Sequence, residues 1–324
     1  MKFGIWIEPR ATKGCPLHDK NPELFYPGER GMMRLDLPGG PELFQGVFEQ
    51  VIRDYGVEWV WLDFNVWPKG FWNKVESADR KGLVELGFYQ GWYKAVDETF
   101  RKHPNLWIES CASGGRIIDL GQLRRSQSIW VADEAVTDDA NRNRRHGLNR
   151  ILPAVYIQSS LFIDPAIIFN AKPNVSLGGE SRFLTYFSGD FGFGQGLPFW
   201  KEEDIQSAAK SVALYKRYRQ YLEGEYYPLF PMPMTRDAWD GCQYHDAKSQ
   251  SGILLVYRLS ESKQDEVSIQ PPAVDKRGSY DWSVIAGDAV VRVSGERLTV
   301  RMPAPHAALI HYQRKAASAF GKSP

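Results

Sequence analysis

The sequence predicts an α/β chain in which a parallel sheet or barrel, covered by helices, is followed by a C-terminal antiparallel β-sandwich. Three observations predict it. Short apolar runs end repeatedly in polar and acidic clusters: the stretch Trp107–Glu134, WIESCASGGRIIDLGQLRRSQSIWVADE, holds two of them, and Val57–Asn65, VEWVWLDFN, holds another. Those runs alternate with stretches of helical periodicity, as in a parallel sheet. From about Gly224 the texture changes to short alternating runs separated by Gly, Pro and Asp, the pattern of antiparallel strands.

Taken in order, Lys2–Ile7 reads as a strand that brings Trp6 and Glu8 to its end. A Pro- and Gly-rich loop follows through Gly40, and loops of that length are usually functional or disordered. Pro41–Tyr55 places Leu43, Val47, Val51 and Ile52 at helical spacing, and Val57–Asn65 is a strand delivering Asp63 to its C-terminal end. After a Trp- and Gly-rich loop over Val66–Lys81, Leu83–Lys102 is an amphipathic helix. Leu106–Ile108 is a buried strand running into Glu109, Ser110 and Cys111. Gly115–Leu123 begins a crossover, and Ser128–Ala132 runs into Asp133 and Glu134. Gly114 and Gly115 let the backbone approach a ligand closely, although their commoner use is to turn the chain. Ala140–Leu152 is a strongly basic helix, read as a solvated face because acids elsewhere balance the chain and no aromatic platform interleaves. Ala154–Ile163 and Ser188–Phe193 supply two further strands, and Glu202–Tyr221 a closing helix. Gly252–Arg258, Glu266–Ile269, Ala289–Val293, Arg297–Arg301 and Ala307–Tyr312 supply the sandwich. The expected division is 1–223, 224–313 and a polar tail over 314–324.

Composition excludes several classes of function. With 324 residues the chain has room for a large domain and a smaller one, and its net charge of +1 leaves no field that favours nucleic acid or an anionic membrane. Cys15, Cys111 and Cys242 are widely spaced with no CxxC pair, against a disulfide framework or a zinc site. A metal-dependent hydrolase would need His-rich strand ends, and the few histidines do not gather, so no cofactor is expected. No histidine lies in a motif that would activate Cys111 as a nucleophile, and its ordinary reading is a small buried hydrophobe. Without a long apolar segment or a signal-peptide core, the chain reads as soluble and cytoplasmic, unless a leader precedes it in a longer parent.

Acids at separate strand ends carry a resemblance. ESCASGG, the acid after Trp130, the strand ending Leu62-Asp63-Phe64-Asn65 and the opening KFGIWIEP together resemble glycoside hydrolase family 36, the α-galactosidases, from Lys2 to about Arg258. The resemblance implies a (β/α)8 TIM-type barrel, here partial with about six strands, and a C-terminal sandwich that packs against it or, as the alternative, binds sugar. It implies a retaining hydrolase of α-galactosides with Asp63 as nucleophile and Asp133 as acid/base. In such enzymes the two carboxyl groups stand about 5–5.5 Å apart. It further implies that Trp6 lines the sugar site, that Asn65, Cys111 and Gly114 hydrogen-bond or shape it, and that Glu134 holds the second acidic position. Arg30, six residues before Asp36 in RGMMRLDL, matches an arginine that contacts substrate; its other reading is a loop-anchoring ion pair.

The departures from the family pattern fall inside the site. The family's Lys two residues before the nucleophile is Trp61, its Trp is Leu62, and its Arg after the Asn is Val66. Losing a charge-assisted hydrogen bond there costs about 1.5–3 kcal/mol of sugar binding. A related α-glycoside such as an N-acetylgalactosaminide therefore stays open, as does a non-catalytic sugar-binding or scaffold protein. Family barrels begin two strands before KFGIWIEP. An open parallel edge at each end is thus expected to leave this chain weakly active alone and prone to self-association.

Overall fold

The computed structural model describes residues 2–28, 31–133, 137–162, 179–194 and 200–315, which form two compact units, Met1–Asp133 and Glu134–Pro324. The first is a four-stranded parallel sheet in the order β1-β2-β3-β4: β1 Gly4–Ile7, β2 Trp59–Leu62, β3 Trp107–Ser110 and β4 Ser128–Ile129. Each strand lies within or beside the apolar run that predicts it. The crossovers are the helices Gly40–Tyr55, started by Pro41 in its first turn and ended by left-handed Gly56, and Leu83–Lys102. Phe44, Phe48, Phe88, Trp92 and Val96 from these helices join Val60, Leu62 and Ile108 from the sheet in one core. Burying each such side chain contributes about 1.5–3 kcal/mol.

The long loop after β1 is tied down. Tyr26, Met32, Met33 and Leu35 are buried, and Asp36 accepts hydrogen bonds from Arg34 Nη2 at 2.5 Å and from the Tyr26 hydroxyl at 3.0 Å. Asp36 thus pairs with Arg34; Arg30 lies outside the described residues.

In the second unit, β5 Gln158–Phe162 and β6 Asp190–Gly194 pair in parallel. Two antiparallel sheets follow. One has five strands in the order β11-β14-β9-β8-β7 and the other three in the order β10-β13-β12. Their ranges are β7 Glu225–Pro228, β8 Trp239–Asp246, β9 Ser251–Arg258, β10 Glu266–Ile269, β11 Tyr280–Ala286, β12 Val290–Ser294, β13 Arg297–Arg301 and β14 Ala307–Arg314. Leu254, Val256 and Ile310 of the larger sheet share a core with Ile269, Leu298 and Val300 of the smaller. A second core joins Ala154, Leu184, Phe187, Tyr218 and Leu222 to Tyr244, Leu255, Tyr257 and Leu309. This packing sets Ala154, Leu184, Phe187, Tyr218 and Leu222 in the same unit as the antiparallel sheets. Strands β7, β8 and β11 have no counterpart in the sequence expectation. Arg314 ends β14, and the Lys315 N–H donates to the Ser279 carbonyl, so the strand runs into the expected tail.

The basic helix corrects the sequence reading. Over Asp138–Leu148 it buries Asn141, Arg142, Arg145 and His146 instead of presenting a solvated charged face. Arg145 Nη1 donates to the Thr185 carbonyl at 3.2 Å, to the Tyr257 hydroxyl at 3.3 Å and to Ser188 Oγ. Its guanidinium lies 5.3 Å from the Tyr257 ring centroid. Arg142 pairs with Asp139 and reaches Asp240 Oδ2 at 3.7 Å. Partners from β8 and β9, about a hundred residues onward, make this burial tolerable for charges that would otherwise stay in water. Among the described residues, no helix is long and apolar enough to cross a membrane.

Candidate active site

Register builds the site. Across the parallel sheet Trp6 pairs with Trp61, Trp61 with Glu109, and Glu109 with Ser128. Paired residues of parallel strands share a face, and so do residues two apart. Glu8, Asp63, Cys111 and Trp130 therefore stand on the face that carries Trp6 and Trp61. Hydrogen bonds carry the ladder to that level: the Asp63 N–H donates to the Ile7 carbonyl at 3.0 Å, Cys111 to Leu62 at 2.9 Å and Trp130 to Ser110 at 2.8 Å. The result is one row of four side chains at the C-terminal edge, where parallel sheets collect functional groups. The opposite face takes Ile7, Leu62 and Ile129 into apolar packing.

Asp63 is buried, and four donors hold it. Its Oδ1 accepts from the backbone N–H groups of Phe64 at 2.7 Å and Ser113 at 2.6 Å; its Oδ2 accepts from Trp6 Nε1 at 3.2 Å and Asn65 Nδ2 at 2.9 Å. An ionised carboxylate is acceptor-only, and this set of donors matches it. Asn65 is itself anchored, since its backbone N–H and its Nδ2 donate to Glu8 Oε1 at 2.6 and 2.8 Å. Glu8 Oε2 accepts from Arg10 Nη1 at 2.9 Å. A chain of contacts from Arg10 through Glu8 and Asn65 thus ends on Asp63. Glu8 and Arg10 are absent from the sequence-based site, although an acid two residues after Trp6 on one strand face was a legible signal.

The turn after β3 brings a second acid to the same place. Ala112, Ser113, Gly114 and Gly115 have φ of 59°, 55°, 82° and 81°, a left-handed run that costs about 1–2 kcal/mol at each of the two non-glycine positions. It aims the Ser113 N–H at Asp63 and lets the Gly114 N–H reach Cys111 Sγ at 3.5 Å. A Cβ on Gly114 would sit 2.9 Å from Asp133 Oδ2, and one on Gly115 would meet the Trp130 carbonyl and Val131 backbone at 2.7 Å. The Ser113 N–H therefore bonds to Asp63, while Asp133 fills the space that a side chain on its neighbour Gly114 would take. Asp133 is exposed, and its Oδ1 accepts from Trp130 Nε1 at 2.8 Å.

The remaining sequence candidates sort as follows. Trp6 is half exposed and donates to Asp63, while Trp61 packs its ring 5.1 Å from that of Trp130 and borders the Cys111 thiol. Arg30 and Glu134 lie outside the described residues. A fixed, buried carboxylate beside a solvent-facing one, under an aromatic wall, is suited to nucleophilic attack at one and proton transfer at the other.

Cys111 is chemically quiet in this setting. Burial pushes its thiol up to about 12, with the Gly114 N–H opposing and the Asp63 charge adding to the rise; burial likewise pushes Cys242 up to about 11. The Cys111 thiol therefore stays protonated at pH 8. In iodoacetamide at pH 8, Cys15 is expected to be alkylated in the folded chain. Cys111 and Cys242 should react only after denaturation, as read by peptide mass. Fast labelling of Cys111 in the native state would instead restore a thiol nucleophile as a contender.

The Melibiase family model matches residues 1–224. Alpha-galactosidase Mel36A of Lactobacillus acidophilus is 24% identical over 277 residues, covering 82% of this chain and 36% of its own length. A variant of the family-36 α-galactosidase AgaA of Geobacillus stearothermophilus, solved with 1-deoxygalactonojirimycin, superposes with a TM-score of 0.80 at 17% identity, over 97% of this chain and 45% of that one. A second AgaA variant, solved with raffinose, gives 0.76 at 18% identity over the same shares. The chain thus spans about a third of its curated relative and under half of these solved chains.

Proposed function

The chain belongs to the melibiase family, the family-36 α-galactosidases, and from that premise we propose that it carries the catalytic centre of a retaining α-galactoside hydrolase. The carrying observation is that Asp63 and Asp133 border successive residues of one left-handed turn. In this reading the Asp63 carboxylate attacks the anomeric carbon as the bond to the leaving oxygen breaks, and Asp133 gives that oxygen its proton. Water then attacks the glycosyl ester, Asp133 takes back a proton, and Asp63 leaves as carboxylate. Trp6 and Trp61 wall the sugar. Asn65 keeps Asp63 aimed, and Arg30 and Glu134 are read as further substrate contacts by resemblance. We read the six parallel strands as counterparts of six in the family's (β/α)8 barrel.

A panel of nitrophenyl α- and β-glycosides tests the function. Turnover is expected on the α-galactoside, and hydrolysis of β-linked substrates alone would overturn the assignment. One observation favours a variant of it: Trp61 holds the position of the family's sugar-binding lysine. Faster turnover of the N-acetyl-α-galactosaminide than of the α-galactoside would favour that related specificity. Absence of turnover, with the sugar still bound, would favour a recognition protein.

Proton donation predicts its own signature. Asp133→Ala should lose about 10²–10⁴-fold on natural oligosaccharides, whose leaving groups need a proton, and far less on nitrophenyl substrates. Equal losses on both classes would make Asp133 structural.

A further inference from the structure

We infer that the C-terminal antiparallel sheets carry a second ligand site, which takes a single neutral pyranose ring and shares no residue with the Asp63 site. The feature is a cavity of about 210 Å³ between strand β11, the loop over residues 270–279 and the tip of the β12–β13 hairpin. For scale, an apolar cavity of roughly 150 Å³ takes up benzene. A volume of this size admits one sugar ring.

Its walls divide by chemistry. On β11, Tyr280 and Trp282 alternate with exposed Asp281 and Ser283, which turns the two rings inward. The Trp282 ring is backed by Tyr312, their centroids 5.0 Å apart at 30°, and Tyr280 packs edge-on to Tyr312 at 5.9 Å. That backing fixes one apolar wall, on which the C–H face of a pyranose can lie. Opposite it are hydrogen-bonding groups of both senses. Glu296, at the hairpin tip, accepts from Gln270 Nε2 at 2.8 Å and pairs with Lys276 Nζ at 3.3 Å. Arg297 lines the same cavity. These side chains are exposed and line the cavity, and each carries more donors or lone pairs than the contacts above use.

A carboxylate, a carboxamide, an ammonium and a guanidinium around one aromatic wall match adjacent ring hydroxyls, each of which both donates and accepts. The local charges, Glu296 and Asp275 against Lys276 and Arg297, balance. This favours a neutral ligand over an acidic or amino sugar.

The test uses the whole chain with 5-fluorotryptophan incorporated, the Trp282 fluorine resonance being assigned from Trp282→Phe. Titration with D-galactose and with D-glucose should move that resonance saturably, with half-saturation in the millimolar range for at least one sugar. The double variant Gln270→Ala, Glu296→Ala should raise that midpoint at least about tenfold while leaving the melting temperature unchanged. Glycerol, which has hydroxyls but no ring face, should leave the resonance in place. No movement with either sugar up to about a tenth molar would overturn the site. So would an equal response in the double variant, or an equal response to glycerol. Trp6, Trp61 and Trp130 report the other site in the same spectra, so binding there is not mistaken for binding here.

Discussion

Replacing Asp63 by Asn is expected to lower turnover of an α-galactoside by about 10⁴-fold or more, measured against the unsubstituted protein in the same background. Asparagine keeps the shape but removes the charge that the proposed mechanism directs at carbon. It also places an NH2 where two of four incoming donors now find an oxygen. A fluorinated slow α-galactoside should add its glycosyl mass to the peptide containing Asp63, and to none in the Asn variant. Labelling at Glu109, buried on the neighbouring strand, would move the nucleophile there and sink the assignment. Asp63→Asn should still fold, because the row of side chains around it is fixed by sheet register.

The largest stability effect is expected from Arg145→Ala. The variant strips donors from the Thr185 carbonyl, Ser188 and the Tyr257 hydroxyl, and removes a buried cation from the neighbourhood of Asp240, itself 2% exposed. Breaking buried charge compensation of this kind costs about 3–5 kcal/mol. At about 2–4 °C per kcal/mol for a unit of this size, the melting temperature should fall by roughly 6–20 °C. Arg145→Lys should recover only part of that, because an ammonium is more strongly hydrated, costs more to bury and has no flat face to lay against the Tyr257 ring. A shift of under about 2 °C for the alanine variant would show that the network contributes little.

How legible all this was in the sequence depends on distance along the chain. The six parallel strands and the helix Leu83–Lys102 are local patterns, and periodicity found them. Asp63 and Asp133 could be placed after apolar runs from pattern alone, but choosing them over other strand-end acids rested on the matched family motifs. Strand β8 was not legible, since WDGCQYHD mixes Asp240, Gln243 and His245 into a strand that is buried from Trp239 through His245. Gln243 and His245 are accommodated by the Tyr312 hydroxyl, at 2.6 and 2.9 Å. The basic helix misled for the same reason, its partners lying on β8 and β9. Within the site, the acids could be read but not their supports. Backbone donors such as the Ser113 N–H leave no mark in side-chain pattern, and the link from Glu8 to Asn65 spans 57 residues.

The left-handed run at Ala112 and Ser113 sets heat tolerance against the turnover proposed for this site. Glycine at either position would adopt the same backbone without the penalty, stabilising the folded chain by an amount offset in part by the freer unfolded chain. It would also loosen the turn that points the Ser113 N–H at Asp63. A population selected for survival at high temperature alone is therefore expected to collect glycines at 112 and 113, and to grow hardier and slower together.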